Sequence, residues 1–254
     1  MPRRARKKSS NGMYHIMLRG INKQSIFEDD EDKHKFLSIL KKFKDISRFE
    51  LYCYCLMDNH VHLLMKESEE SISITIKRIS SSYVYWYNMK YERCGHLFQE
   101  RYRSESVEDI SYFLKVLRYI HQNPIKAGLA NSVLESKWTS INEYFEKDTF
   151  VDIDLGLSLF SQYQNTAIQL FKEYMVKSNN DQCLDDKLKE RMSDSEVREH
   201  MHKIGISNIS VLQQLDKDKR DVALARLKEL EGVSLRQLSR ITGISKSVIH
   251  RALQ

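Results

Sequence analysis

Residues 49–66 read FELYCYCLMDNHVHLLMK, and this stretch decides the fold class. Residues 49–57 form an aromatic, Cys-rich and Leu-rich run that is typical of a strand. Asp58-Asn59 is a short turn signal, and residues 60–66 continue as a second strand-like run. Two such strands joined by two turn residues predict a β-hairpin.

The segments on either side of the hairpin predict an α+β fold. Residues 13–19 are interpreted as a strand, and acidic residues before an apolar helical pattern indicate a helix over 29–46. Residues 71–91 are predicted to be helical, and residues 96–107 are predicted to form an edge strand. A hairpin with helices between strands favours an antiparallel sheet, not a doubly wound parallel one.

A further helix is predicted to begin near residue 110. Ser106-Val107-Glu108-Asp109 has the form of a capping box, with an acid three residues after the serine, and the apolar pattern begins at Ile110. Pro124 is expected to limit how far this helix extends.

The strand signal fades in the second part of the chain. Helices are predicted at 155–177 and 184–203, and the chain is divided into domains 1–150 and 151–254, the second all-α. Residues 222–253 are interpreted as a helix-turn-helix. In that interpretation Ser234 and Ser245 each cap a helix, and Gly243 supplies the turn between them.

Composition excludes several classes of protein. The 254 residues include 41% hydrophobic and 30% charged residues, an ordinary globular mix. Four cysteines without a CxxC pair argue against a zinc module and a disulfide scaffold. No apolar run approaches the length of a membrane-spanning helix. The basic N-terminus is unlike a secretory signal, so the expected compartment is the cytoplasm.

The placement of charge is more informative than the net charge of +6. Five of the first eight residues are basic, and cations between residues 90 and 103 alternate with aromatic residues from 83 to 102. Cations mixed with aromatic rings suit single-stranded nucleic acid, in which phosphates need charge and bases need flat partners. The alternative is an aromatic core beside a solvated charged face.

His60 and His62 are the most informative pair of polar residues. In a strand, residues two apart share a face, so the two imidazoles point together while Val61 and Leu63 point the other way. Two neighbouring imidazoles can share a divalent ion. The alternative is two histidines on the surface of a sheet.

Tyr119 and Asn123 form a second pair on the helix that begins near Ile110. The spacing of four residues places them on one face, about 180° from Ile110 on the helical wheel. This arrangement can present a hydroxyl nucleophile beside an amide oxygen that binds a cation. The alternative is a surface tyrosine with a helix-terminal asparagine.

Together these segments resemble the single-tyrosine HUH transposases, especially the REP-associated tyrosine transposases. Asp58 departs from the family pattern, in which proline usually precedes the Asn-His pair. The likeness is carried, in chain order, by Met1-Pro2-Arg3-Arg4, Tyr14-His15, Arg19-Gly20-Ile21-Asn22-Lys23, Ile26-Phe27-Glu28-Asp29-Asp30, Leu56-Met57-Asp58-Asn59-His60-Val61-His62-Leu63-Leu64, Gly95-His96-Leu97-Phe98-Gln99-Glu100-Arg101-Tyr102 and Arg118-Tyr119-Ile120-His121-Gln122-Asn123-Pro124-Ile125-Lys126-Ala127-Gly128-Leu129.

The resemblance implies a ferredoxin-like nuclease domain that acts on single-stranded or hairpin DNA in bacteria, in association with the nucleoid. His60 and His62 match the family's metal ligands, and Asn123 matches its third polar ligand, for Mg²⁺ or Mn²⁺. Tyr119 matches the nucleophile, which would leave a 5′-phosphotyrosine and a free 3′-OH. Whether the protein is a monomer or a homodimer stays open.

Several residues are candidates for DNA contacts. In the front domain they are the basic residues Arg3, Arg4, Arg6, Lys7, Arg19, Arg101 and Arg103. In the helix-turn-helix, which would bind duplex DNA, they are Lys246, Ser247, His250 and Arg251. Two alternatives to a transposase remain: a non-catalytic DNA-binding regulator, and a phosphohydrolase that uses only the histidines.

Overall fold

The computed structural model describes residues 6–99, 101–146, 149–181, 183–184, 192, 194–207, 209–230 and 232–252. The chain divides into two compact units, Met1–Asp185 and Asp186–Gln254. Across the described residues, no helix combines the length and the apolar character needed to cross a membrane.

The first unit is built on a four-stranded antiparallel sheet. Its strand order is β2-β3-β1-β4, and strands and helices alternate along the chain as β1-α1-β2-β3-α2-β4. This is the ferredoxin-like α+β arrangement that the sequence predicted. The elements are β1 (Met13–Arg19), α1 (Asp30–Ser47), β2 (Glu50–Met57), β3 (His60–Lys66), α2 (Ile72–Lys90), β4 (Arg103–Ser106) and α3 (Ile110–Lys126).

The predicted hairpin forms between β2 and β3. Met57 pairs with His60, so the connection is the two-residue turn Asp58-Asn59. The carboxylate of Asp58 forms an ion pair with Lys33 on α1 at 2.9 Å. Its backbone carbonyl oxygen accepts a hydrogen bond from the N–H of Ile26 at 2.7 Å. The aspartate that departs from the family pattern is therefore anchored. The pairing next to the turn is regular from Met57–His60 to Cys53–Leu64, and the register shifts only further along, between Leu51 and Cys53.

Helix α1 begins as its acidic first turn predicted. The side chain of Asp29 accepts a hydrogen bond from the backbone N–H of Asp32, and the side chain of Asp32 accepts one from the backbone N–H of Asp29, forming a capping box. Phe36 on this helix packs edge-on against Tyr83 of α2, with ring centroids 5.2 Å apart. Both rings are fully buried, so the two helices share one apolar core.

The prediction for the start of α3 is wrong. Ser106 ends β4, and the helix is capped instead by Asp109, whose carboxylate accepts the N–H of Tyr112 at 2.8 Å. Pairing with Tyr14 keeps Ser106 in the strand. At the other end, α3 stops two residues after Pro124, at Lys126, which agrees with the expectation that Pro124 limits its extent. Because Pro124 lies in the last turn, its missing N–H costs at most one hydrogen bond.

The edge strand is shorter than the predicted range of 96–107. Phe98 instead forms an isolated bridge with Gly20, and regular pairing begins only at Arg103. The connecting segment thereby crosses the end of β1.

The two helices between residues 150 and 180 belong to the first unit. The range predicted as one helix over 155–177 is two helices, α4 (Ile153–Ser158) and α5 (Gln164–Val176). Gln122 of α3 donates a hydrogen bond to the carbonyl of Met175 at 2.7 Å. The boundary between the two units therefore lies near residue 185, beyond the division at 150 that the sequence suggested.

Short 3-10 turns lie at Ile21–Lys23, Val133–Glu135 and Ser140–Phe145.

The second unit is helical and has its own apolar core, which includes Leu224, Leu238 and Ile249. Part of the range predicted as helical over 184–203 lies outside the described residues, and the remainder is helical from Asp194. The helices are α6 (Asp194–Lys203), α7 (Ile209–Gln214), α8 (Lys217–Glu229), α9 (Leu235–Thr242) and α10 (Lys246–Arg251).

Helices α9 and α10 begin at the predicted caps. Ser234 accepts the N–H of Gln237 at 3.1 Å, and Ser245 accepts that of Val248 at 3.4 Å. Gly243 ends α9 with φ +70°, a left-handed conformation that favours glycine. The assignment of this helix pair as a DNA-binding helix-turn-helix stays a prediction.

Candidate active site

The two histidines of β3 lie on the face of the sheet that α3 covers. His60 and His62 alternate with Val61, so the pleat of the strand turns both side chains to the same side. Their ring centroids are 5.0 Å apart. His62 is fully buried and His60 is 7% exposed, so the pair is largely withdrawn from bulk water.

Helix α3 brings Tyr119 against this pair. The ring centroid of Tyr119 lies 5.9 Å from that of His62, with the ring planes at 83°. The tyrosine side chain is buried, and Asn123, one helical turn further on, is buried as well. The structure thus brings a phenol and two imidazoles together, with an amide one turn along the same helix.

Hydrogen bonds orient the His60 ring. Its Nδ1 lies 2.6 Å from Oδ1 of Asn59, the second residue of the hairpin turn. An amide oxygen can only accept, so Nδ1 of His60 carries a proton, and in the neutral ring the lone pair is then on Nε2. This is the tautomer in which Nε2 can bind a metal.

His62 also has the properties of a metal ligand. Burial, followed by the charges of His60, His15 and Arg19, lowers its pKa well below the usual range, so the ring is neutral. Its Nε2 atom is buried and has no hydrogen-bond partner among the described residues. A buried nitrogen of this kind fits a bound cation, because leaving it unsatisfied is costly.

A metal site here needs a ligand of another type. In the part of the chain that the structure covers, no group of three or more His, Cys, Asp or Glu side chains could hold a metal ion. The amide oxygen of Asn123 is the candidate, since hard cations such as Mg²⁺ and Mn²⁺ prefer oxygen ligands.

His15 is a component of the site that sequence reasoning did not single out. Its Nε2 lies 2.9 Å from Nδ1 of His62, and its ring centroid is 6.0 Å from that of Tyr119. Its side chain is fully buried. The sequence signal was the position of His15 in the predicted strand β1. Which side chains of β3 share its face of the sheet can be determined only from the pairing of β1 with β3.

Backbone hydrogen bonds join three motif segments at the end of the sheet beside His60. The N–H of Gly20 donates to Asn59 at 2.9 Å, and the N–H of Ile21 donates to Leu97 at 2.9 Å. The N–H of Gln99 donates to Arg19 at 2.7 Å. Motifs that are far apart in the sequence therefore build one end of the sheet.

The outer side of α3 is held by residues 177–181, which follow α5. Arg118 donates two hydrogen bonds to Oδ2 of Asp181, at 2.9 and 2.6 Å, and both side chains are nearly buried. Asn179 donates to Gln122 at 2.8 Å. The helix that carries Tyr119 is thus fixed between the sheet and this segment.

The predicted DNA contacts are distributed over both units. Cross-strand pairing places Arg19 opposite His60, and Arg103 opposite Met17 on the same face. Arg6 stacks 3.7 Å above the ring of Tyr102 and donates to its carbonyl at 2.7 Å.

The remaining candidates are placed as follows. Lys7 and Arg101 are exposed in the first unit, and the four candidates on or near α10 are exposed in the second: Lys246, Ser247, His250 and Arg251. Arg3 and Arg4 lie outside the described residues.

Comparison with known proteins agrees with this architecture. Residues 8–123 match the family model described as IS200-like transposase. The chain is similar to the structure of a REP-associated tyrosine transposase bound to a REP hairpin. The TM-score is 0.50, and the identity is 15% over 61% of this chain and 96% of that chain. No match to a curated protein was found.

The IS200-like transposases are thus the family that residues 8–123 of this chain resemble. Its fold is that of a REP-associated tyrosine transposase. The resemblance drawn from the sequence motifs is confirmed at this level.

Proposed function

We propose that this protein cleaves and rejoins single-stranded DNA through a covalent link to Tyr119. The observation that carries the proposal is the packing of the Tyr119 ring 5.9 Å from His62, inside a segment that matches the family model of the IS200-like transposases. A buried phenol beside two imidazoles and an amide is an unusual group of side chains for a core. It is the set that metal-assisted phosphoryl transfer to a tyrosine requires.

His60, His62 and Asn123 would hold the divalent cation, Mg²⁺ or Mn²⁺. When bound, the cation would offset the charge that develops on the scissile phosphate. The histidines suit this role because Nδ1 of His60 donates to Asn59, which leaves Nε2 as its metal-binding atom, and burial lowers the pKa of His62. Arg19, opposite His60 on β1, would bind a phosphate oxygen of the DNA strand.

Tyr119 would act as the nucleophile. Its oxygen forms a bond to phosphorus as the bond from phosphorus to the 3′ oxygen breaks. The phenol loses its proton, and the leaving 3′ oxygen takes one up. The products are a 5′-phosphotyrosine and a free 3′-OH. Attack of a 3′-OH on this linkage reverses the step, so joining needs no ATP.

Hairpin-forming repeat DNA is the proposed substrate. The similar solved structure is that of a transposase bound to a REP hairpin. In this chain, Arg6, Lys7, Arg101 and Arg103 offer positive charge in the same unit as Tyr119. Arg3 and Arg4 would extend this set. Helix α10 would bind duplex DNA through Lys246, Ser247, His250 and Arg251.

A denaturing gel tests the nuclease. The full chain is incubated with hairpin-bearing single-stranded DNA and Mn²⁺, and a covalent protein–DNA band is expected. The band should vanish in Tyr119→Phe and in His62→Ala. Tyr163→Phe, an exposed tyrosine in the same unit, is the matched control and should keep the band.

The same gel separates the alternatives. DNA retention without any adduct, across many hairpins that include the native flanking repeats, would support a non-catalytic DNA-binding regulator. Cleavage that persists unchanged in Tyr119→Phe would support a phosphohydrolase that uses only the histidines.

A further inference from the structure

We propose that His15 is a positioning residue for the metal site. It accepts a hydrogen bond from Nδ1 of His62 and so holds the Nε2 lone pair of His62 toward the cation. The inference rests on the proposed function and adds to it a residue that contacts neither the cation nor the DNA.

The geometry of β1 and β3 creates the contact. His15 pairs with Leu64, and Met17 pairs with His62, so His15 and His62 are diagonal neighbours on the same face of the sheet. Their ring centroids are 5.1 Å apart, and the two nitrogen atoms are separated by 2.9 Å. Both side chains are fully buried, so solvent does not compete for this hydrogen bond.

The position of the proton determines which histidine is the donor in this hydrogen bond. One proton lies between Nε2 of His15 and Nδ1 of His62. If His15 donated it, the proton of neutral His62 would be on Nε2, and the lone pair that a metal needs would be lost. In the state that can bind metal, His62 therefore donates and His15 accepts. Metal-binding histidines usually donate their second ring N–H to a carboxylate or carbonyl group, and here an imidazole takes that role.

The two proposed histidine ligands are thus anchored by different means. His60 is held by Asn59, its neighbour in the hairpin turn, whereas His62 is held by a residue from another strand. The His15 ring also packs edge-on against Tyr119, at 6.0 Å between centroids. A change at position 15 should therefore alter the orientation of His62 before it alters the hairpin.

Substitutions at position 15 that keep, shorten or remove the hydrogen-bond acceptor test the role. In His15→Gln, the amide oxygen can lie near the position of the lost Nε2 and accept from His62. The shorter side chain of His15→Asn cannot reach that position, and His15→Phe keeps a ring but has no acceptor. Binding of Mn²⁺ to the full chain without DNA is measured by EPR titration.

The proposal predicts that His15→Phe and His15→Asn raise the Mn²⁺ dissociation constant about 10- to 100-fold, the usual effect of losing such a partner. His15→Gln should stay within about threefold of wild type. In the adduct assay, the first two variants should need more Mn²⁺ for half-maximal rate, and saturating Mn²⁺ should restore most of the rate. A general loss of structure would not produce this pattern.

Controls separate this inference from the proposed function. His121→Gln alters another fully buried histidine, which contacts Ser140, and should leave Mn²⁺ affinity within about twofold. If His15→Asn and His15→Gln bind Mn²⁺ equally well, the positioning role is wrong. If wild type and His62→Ala bind Mn²⁺ equally, the proposed metal site itself fails, whatever the position-15 variants do.

Discussion

Gly20 lies where the chain leaves β1 and turns beside the hairpin. A Cβ atom at this position would meet the carbonyl oxygen of Gln24 at 2.1 Å and the side chain of Ile26 at 3.0 Å. Backbone cannot move aside as a flexible side chain can, so we expect Gly20→Ala to cost about 2 kcal/mol or more of stability. Because Gly20 donates to Asn59, the adduct yield should fall as well.

Urea unfolding followed by tryptophan fluorescence measures this loss. Both tryptophans, Trp86 and Trp138, lie in the first unit, so the signal reports on that unit alone. Gly128→Ala is the control. Gly128 has φ +71° and open space around it, so alanine there should cost about 1 kcal/mol, from backbone strain alone. Equal losses in the two variants would contradict the steric argument.

His121 predicts a dependence of stability on pH. Burial lowers the pKa of its imidazole to about 3, against 6.5 in the unfolded chain. The unfolded state therefore binds more protons between these two pH values, and the folded state loses stability as the pH falls. From pH 7 to pH 5 the expected contribution of this one group is about 2 kcal/mol.

Replacement of His121 by glutamine isolates this contribution. Glutamine does not titrate and can keep a hydrogen bond to Ser140, which lies 3.0 Å from Nε2 of His121. Unfolding free energies at pH 7 and pH 5 should differ by about 2 kcal/mol less in His121→Gln than in wild type. An unchanged difference would mean that His121 takes up a proton in the folded protein.

For individual residues, the sequence predicted the positions of some side chains better than those of others. The common face of His60 and His62 follows from the period of a strand, which needs no knowledge of the partner strand. The contribution of His15 depends on register between β1 and β3, which no local pattern specifies. Tyr119 was placed away from the main apolar seam, yet residues 116–124 of α3 are buried on all sides. The helical wheel therefore predicted that Tyr119 and Asn123 share a face, but it did not predict that Tyr119 is buried.

At the scale of elements, α3 depends on residues 177–181. The ion pair between Arg118 and Asp181 is nearly buried, with side chains 10% and 12% exposed. Removing one partner leaves a charge without compensation, and we expect Asp181→Ala to destabilise the first unit by about 3 kcal/mol. Protection of the α3 amides against hydrogen exchange should fall with it.

A surface ion pair provides the control for this substitution. Lys137 and Asp30 lie 2.5 Å apart, but both side chains are more than half exposed. Asp30→Asn should therefore cost far less stability than Asp181→Ala. A comparable loss in the two variants, or unchanged exchange in α3 of Asp181→Ala, would show that residues 177–181 do not hold the helix.

The errors in element boundaries around α3 have a tertiary cause. Ser106 and Asp109 are both good capping residues, and sequence alone does not decide between them. Pairing of Ser106 with Tyr14 selects Asp109. In the same way, the bridge between Phe98 and Gly20 replaces the first half of the predicted edge strand. Helices α1 and α2 were predicted within one or two residues because their signals are local.

At the scale of the whole molecule, the two units have separate apolar cores. The sequence placed the division at 150 because strand patterns end there. Packing of Gln122 against Met175 and of Arg118 against Asp181 instead joins α5 and the residues after it to the first unit. Such long-range contacts leave no periodic signal, so composition alone could not locate the boundary.

Separate cores allow the two proposed DNA contacts to be changed independently. Lys246 and Arg251 are exposed at the two ends of α10, in the second unit. If both contact phosphates, Lys246→Ala/Arg251→Ala should weaken binding to duplex DNA and reduce the slope of log affinity against log salt by about 2. Adduct formation at Tyr119 with a short hairpin should not change, because that site lies in the other unit.

A double variant with the same loss of charge supplies the comparison. Lys203→Ala/Lys217→Ala removes two exposed lysines from α6 and α8 of the same unit. If net charge alone drives duplex binding, the two double variants will shift the salt slope equally, and α10 has no special role. A slope that changes only when α10 is altered assigns the duplex contact to that helix. The position of the substituted residues then matters, because the change in net charge is identical.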